Sequence, residues 1–291
     1  MNKNPFSIYD FLGYLFPGAF GLVVLHFVWY ADNPLCVECF VESLKMWMYS
    51  PDKLESTLFF VLFSYIAGHI IAYASTWTVE SFANWKYGYP SFALLGIHTN
   101  YFEHREGEDW DSECPFSKRN IKCILSCLIR LLVAVFVFPI SVLAILLGKI
   151  FMMEKYYIKP LDEYTRKAFQ IKLYRLSHEL GLDPMVNIHN KKTDFHRLVS
   201  FYEYEYCKKH GIKMDNYVAI YDFMRSLCLI SNLYTGFILF ETIFVWEYEF
   251  VNFMYVAASS FATYFLYMAY MKFYRRYTHE SFITLIIDKD L

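Results

Sequence analysis

Residues 63–75 read FSYIAGHIIAYAS and place an imidazole, His69, inside an apolar run that extends over residues 58–77. Twenty residues in a helix span about 30 Å, the thickness of a bilayer's hydrocarbon core. An ionisable group at that depth is costly unless it faces a helical bundle or a wet cavity, so His69 requires a partner. A neutral ring hydrogen-bonded to Tyr, Ser or Asn on another helix meets that need structurally. A proton relay or pore-lining gate is the chemical alternative, because imidazole titrates near neutral pH. Tyr65, Tyr73 and Glu80 lie roughly on the same side of the helix. Beside them Ser64, Gly68 and Ala72 form a small-residue stripe, the pattern that lets membrane helices pack closely. A later run adds two more polar candidates, Asn232 and Glu241, preceded by Asp222 and Arg225, whose spacing pairs them on one helical face near a membrane surface.

Other constellations carry no recognisable chemistry. In the acidic loop EHREGEDWDSE, Asp109, Asp111 and Glu113 alternate like the first ligands of a calcium loop. Cys114 and Asn120, however, stand where that motif needs Gly and Glu. CVEC at Cys36 and Cys39 lacks a second pair, and His178, His189 and His196 do not share a metal-binding spacing. No phosphate-cradling Gly loop, GxSxG or kinase signature occurs, so no cofactor, metal or catalytic residue is expected. The net charge of −2 offers nothing to nucleic acid, and the scattered cysteines read as free thiols.

These residues have to be positioned by apolar helices. The 291-residue chain is 56% hydrophobic, 21% aromatic and 19% charged, below the roughly 25% charge of soluble domains. Apolar runs cover residues 11–30, 58–77, 131–148, 226–245 and 250–271, and Trp29, Trp47, Trp77, Trp85 and Trp246 lie near their ends as an aromatic belt would. The expected fold is an all-α integral membrane protein: a bundle of four or five transmembrane helices with a small helical cytoplasmic domain. Its parts would be an N-terminal membrane region (1–148), the cytoplasmic domain (149–217) and a C-terminal transmembrane hairpin with a tail (218–291). Basic residues crowd residues 149–217 and the tail, which places both in the cytoplasm. Both flanks of the 131–148 run are basic, which conflicts with a simple crossing. That run is therefore either a span or a re-entrant or interfacial hairpin bent at Pro139. Pro17 and Gly18 mark a second kink or gate candidate.

Within 149–217 the pattern turns periodic. Leu161, Tyr164, Ala168, Ile171, Leu176 and Leu180 suggest one helix, ended by Gly181 and Pro184. Thr193 caps a second, with Phe195, Leu198, Val199, Tyr202 and Tyr206 on one stripe and Gly211 at its end. Two such helices cannot bury a core alone and are expected to pack on each other, on the loop over 102–116, or on another subunit.

Three stretches, YDFLGYLFPG (from Tyr9), YIAGHIIAYAS (from Tyr65) and YDFMRSL (from Tyr221), together resemble a loose group of bacterial polytopic inner-membrane proteins, some encoded beside antiphage defence genes. The resemblance implies a plasma-membrane location and a defence role. The chain would oligomerise and breach or depolarise the membrane on a signal from a cytoplasmic protein. The small faces at Ser64/Gly68/Ala72 and Ala258/Ala262 fit a homo-oligomer. The functional expectation is thus a non-enzymatic, channel-like effector. The alternatives are a proton-coupled transporter using His69 and a membrane-embedded enzyme.

Overall fold

The computed structural model describes residues 8–30, 54–97, 101–102, 116–150, 159–181, 195–244 and 250–288. The CVEC pair, the acidic loop, His189, Thr193 and Trp246 lie outside them. Every regular element among the described residues is helical. A short turn α1 (Ile8–Asp10) leads through a π turn (Phe11–Leu15) into α2 (Phe16–Tyr30). Helix α3 (Leu54–Ser75) passes through a second π turn (Thr76–Glu80) into α4 (Ser81–Tyr87), followed by α5 (Pro90–Leu94). Then come α6 (Phe116–Phe136), α7 (Phe138–Ile150), α8 (Glu163–Glu179), α9 (Phe195–Tyr206), α10 (Lys208–Phe244) and α11 (Phe250–Ile287).

Proline chemistry sets two of the junctions. Pro17 has no N–H to donate, and mid-helix its ring would strike the carbonyl four residues back. The widened turn ahead of it, in which Phe16 N–H reaches Phe11 O, accommodates it, and Pro17 falls in the first turn of α2. At Pro139 the outcome is sharper. Helices α6 and α7 meet at Val137 with a bend of 89°, so the 131–148 run is not one straight helix. The bend expected at Pro139 is observed, in a form that fits either a broken span or a re-entrant loop.

Among the described residues, three helical stretches are long and apolar enough to cross a membrane: Phe11–Trp29, Thr57–Leu94 and Lys213–Phe244. The count rises to four if the bent pair forms one span. The fifth run, over 250–271, is helical within α11 but is not among them, because tyrosines lower its hydropathy. Tyr264, Tyr267 and Tyr270 face inward, whereas Tyr255 is exposed.

The chain divides into two compact units that interleave in sequence. The first holds the described residues of Met1–Glu80, Val137–Leu147 and Ala219–Tyr270; the second holds those of Ser81–Phe136, Gly148–Val218 and Met271–Leu291. The long helices α10 and α11 each contribute to both, which is why no loop marks the division.

The first unit buries polar side chains alongside apolar ones and exposes large apolar side chains. In α3 Ser64, Ala72 and Ser75 are buried while Phe63, Ile66, Ile70 and Trp77 are exposed. In α11 Thr263, Tyr264, Tyr267 and Tyr270 are buried while Phe250, Met254, Phe261 and Phe265 are exposed. Water would reverse that arrangement; hydrocarbon tolerates it, since lipid tails are as apolar as Phe or Ile.

The second unit has a conventional core. Phe92 and Leu94 of α5, Phe169, Leu173 and Leu176 of α8, Phe195 and Val199 of α9, and Phe282 and Leu285 of α11 form one cluster. Phe169 stacks on Phe282 with ring centroids 3.9 Å apart. The partners that the two periodic helices needed are therefore α5 and the C-terminal part of α11. The stripe read for α8 is out of phase: Tyr164, Ile171 and Leu180 are exposed, and Phe169 and Leu173 take their place. Helix α8 begins where Asp162 Oδ1 accepts from Thr165 N at 2.9 Å, and Gly181 follows it at φ 67°. Gly211 caps nothing; it lies inside α10.

Glu203 is buried in this unit, its Oε2 accepting from Ser281 Oγ at 2.7 Å while Oε1 has no partner among the described residues. Burial pushes its carboxyl up to about 8. The folded chain therefore holds a proton that the unfolded chain releases near the ordinary carboxylate range, and stability falls as pH rises from about 5 through about 8. The loss across that window is on the order of 4 kcal/mol, and Glu203→Gln should abolish the slope. Thermal unfolding of both forms at several pH values measures it. Parallel slopes for wild type and variant would refute the assignment.

Candidate functional site

The first unit brings three sequence motifs onto one point. Tyr9 lies just ahead of the π turn and Tyr14 within it. Tyr9 Oη donates to Asp222 Oδ2 of α10 at 3.0 Å, and Tyr14 Oη lies 3.1 Å from Tyr9 Oη. Because the Tyr9 proton is committed to Asp222, Tyr14 is the donor in the second bond, and the hydroxyls form a directed chain, Tyr14 to Tyr9 to Asp222. Burial, reinforced by the negative Asp222 beside it, holds the Tyr9 hydroxyl far above the ordinary tyrosine range, so it remains a donor.

Asp222 in turn receives Arg225. Arg225 Nη2 lies 2.8 Å from Asp222 Oδ1, one helical turn away, and Nη1 pairs with Glu80 at the end of the second π turn. Nε donates to Ser75 Oγ at 3.1 Å, and that hydroxyl donates to Ala72 O at 2.8 Å. Asp222 and Arg225 are each 8% exposed. The pairing read from their spacing holds, and both partners are covered by neighbouring helices. A guanidinium shared by two carboxylates and a hydroxyl is well satisfied, which a buried ion requires.

Close backbone contact fixes these elements against one another. A Cβ on Gly18 would lie 1.7 Å from Ser64 O, and one on Gly68 would lie 1.9 Å from Tyr14 O. Only glycine permits the approach. The stripe Ser64/Gly68/Ala72 is consequently spent inside the chain, packing α3 on the first helix, and does not offer an outward face. Ala258 and Ala262 remain exposed on α11.

His69 departs from expectation. Its ring stacks on Tyr14 with centroids 3.8 Å apart and meets Tyr65 edge-on at 4.6 Å, but the residue is exposed. No hydrogen bond joins its ring to another described residue. The glycine-tight packing of Tyr14 on Gly68 sets the first helix beside His69 without covering it. Asn232 is buried at 2% exposure on α10, and Glu241 is half-buried further along, so neither joins the cluster. A second polar seam joins α10 and α11, where Ser231 Oγ and Thr263 Oγ1 lie 2.7 Å apart. Pro17 and Gly18 are buried at the close approach, and Pro139 is buried just after the α6–α7 break.

Tyr9, Tyr14 and Ser75 are members of the network that residue-by-residue reading missed. The signal was present: all three lie in the motifs YDFLGYLFPG and YIAGHIIAYAS, and Asp222 and Arg225 lie in YDFMRSL. Among the described residues no group of three or more His, Cys, Asp or Glu could hold a metal ion.

Fold and site together define an all-helical protein with three or four helices able to cross a membrane and a buried charge network among them. No protein-family model matches the chain, and neither a curated protein nor a solved structure is significantly similar to it.

Proposed function

We propose that the chain is a non-enzymatic, multi-pass membrane protein in which the Tyr14–Tyr9–Asp222–Arg225–Glu80 network controls the passage of ions, making it a channel-like or membrane-perturbing effector. The observation that carries this reading is one chain of bonds through two hydroxyls and three charged groups, with Asp222 and Arg225 buried and Tyr9, Tyr14 and Glu80 half-buried, within an outwardly apolar bundle. Ionisable groups so placed mark ion and proton pathways, and they cost too much to keep as packing alone. Basic residues in 149–217 and the tail support a cytoplasmic setting for that stretch and the C-terminus, and the motif resemblance supports a bacterial plasma membrane. The motif resemblance supports an antiphage setting with a cytoplasmic protein partner. The exposed Ala258/Ala262 face supports a homo-oligomer.

One observation favours a second reading, proton-coupled transport: the directed hydroxyl chain ends on a carboxylate and begins under the exposed His69 ring. Proteoliposomes separate the two. A channel-like effector is expected to pass K⁺ or protons down an imposed voltage with no solute present. Tyr9→Phe, which breaks the hydroxyl chain without adding bulk, should reduce proton flux at least about tenfold, the scale of one lost hydrogen bond to a charged group. Flux that appears only with a co-transported solute supports the transporter. Vesicles that stay tight to ions and protons under every gradient overturn both.

A further inference from the structure

Helix α6 is apolar on its open side, with Ile124, Leu125, Leu128, Leu132 and Val135 all about half exposed or more. Its apolar stretch, Cys123–Phe136, ends at the 89° break. Fourteen residues rise about 21 Å, short of the roughly 30 Å hydrocarbon core. A stretch of that length is a core helix or an interfacial one, and an exposed apolar face excludes the core. The inner face carries Arg130, 3% exposed, whose Nη1 donates to Tyr101 O at 2.8 Å while Tyr101 Oη donates to Arg130 O at 2.7 Å. Its guanidinium lies 5.5 Å from the Trp85 ring centre. Arg, Trp and Tyr gathered at one level are the groups that settle where headgroups meet acyl chains. Lys118, Arg119 and Lys122 occupy the first two turns, and the helix contains no carboxylate.

We infer that α6 lies along the headgroup–acyl boundary of an anionic leaflet without crossing it. Its basic turns rest on lipid phosphates and its apolar face sits in the upper acyl region. The partner is a lipid surface because the face is apolar and continuous while the charge carried by the helix itself is of one sign, the combination that binds anionic membranes. This inference rests on the membrane reading above and adds the placement and lipid preference of one helix.

The test uses the full chain in nanodiscs, with or without phosphatidylglycerol in phosphatidylcholine. Single cysteines on a cysteine-free background at Leu125, Leu128 and Leu132 carry an environment-sensitive dye, and Ile70 on α3 serves as the reference. Nitroxides attached to lipid at shallow or mid-acyl depth quench the dye. Equal, shallow quenching at all three α6 positions in phosphatidylglycerol discs is expected, with loss of that quenching in Lys118→Gln/Arg119→Gln/Lys122→Gln. Depth that increases steadily from Leu125 to Leu132 would show a crossing and overturn the proposal. Quenching at Ile70 but not on α6 would show that protein covers the face, and would overturn it equally. Shallow quenching that ignores both phosphatidylglycerol and the triple variant would overturn the lipid preference. Silence at Ile70 as well would instead defeat the membrane reading itself.

Discussion

Arg225→Leu is expected to cost about 3–5 kcal/mol, the range for removing one partner from a buried ion pair. The loss is not the value of two salt bridges. It is the cost of leaving Asp222 and Glu80 close together in an apolar surrounding, with the cation that both contact removed. The unfolding midpoint in detergent should fall, and insertion yield with it. Neutralising the carboxylates in the same chain, as Arg225→Leu/Asp222→Asn/Glu80→Gln, should recover most of the loss, because neutral amides cost far less to bury than charges. Arg225→Lys should recover only part: an ammonium is a point charge and cannot face Asp222, Glu80 and Ser75 at fixed angles as the guanidinium does. If Arg225→Leu unfolds with the wild-type midpoint, the network does not bear on stability and the functional proposal loses its foundation.

Gly68→Ala should be nearly as damaging, by about 3 kcal/mol or more. A single methyl there would sit 1.9 Å from Tyr14 O, and the obstacle is backbone, which cannot rotate away. Overpacking a flexible core typically costs about 1–3 kcal/mol, and a rigid contact lies at or above the top of that range. The first helix would have to move off α3, carrying Tyr14 and Tyr9 away from Asp222, so stability and any ion flux should fall together. Gly18→Ala predicts the same result through Ser64 O at 1.7 Å. Gly236→Ala is the control. It lies in α10 with nothing within 4 Å of its Cβ, so a helix-favouring methyl should leave stability unchanged or slightly raised. Unfolding in a graded denaturant series reads all three. Equal stability for Gly68→Ala and Gly236→Ala would mean the helices are not in backbone contact.

Local chemistry alone determined a good deal of this protein. Runs of apolar residues long enough to span hydrocarbon require helices, because a backbone without water must bond to itself. The small residues at Ser64, Gly68 and Ala72 required a close neighbour, and Pro139 marked the place where a bend would fall, since neither a missing side chain nor a missing N–H can be supplied from elsewhere. The i,i+3 spacing of Asp222 and Arg225 was enough to pair them. Other features depended on which helix met which, and nothing in the local chemistry carries that. Whether His69 was covered turned on where Tyr14 came to rest, and that turned on Gly18 and Gly68 choosing each other across 50 residues. The stripe that suggested contacts between chains was taken up within one chain by the same choice. Tyr9 became a donor to a carboxylate 213 positions away. The inward side of α8 was set by Phe282 and Leu285, which lie more than a hundred residues further on, and so Phe169 took the place that Tyr164 and Ile171 had suggested. Helical period specifies a face to within a turn; only the surface it meets decides which residues of that turn lose their solvent.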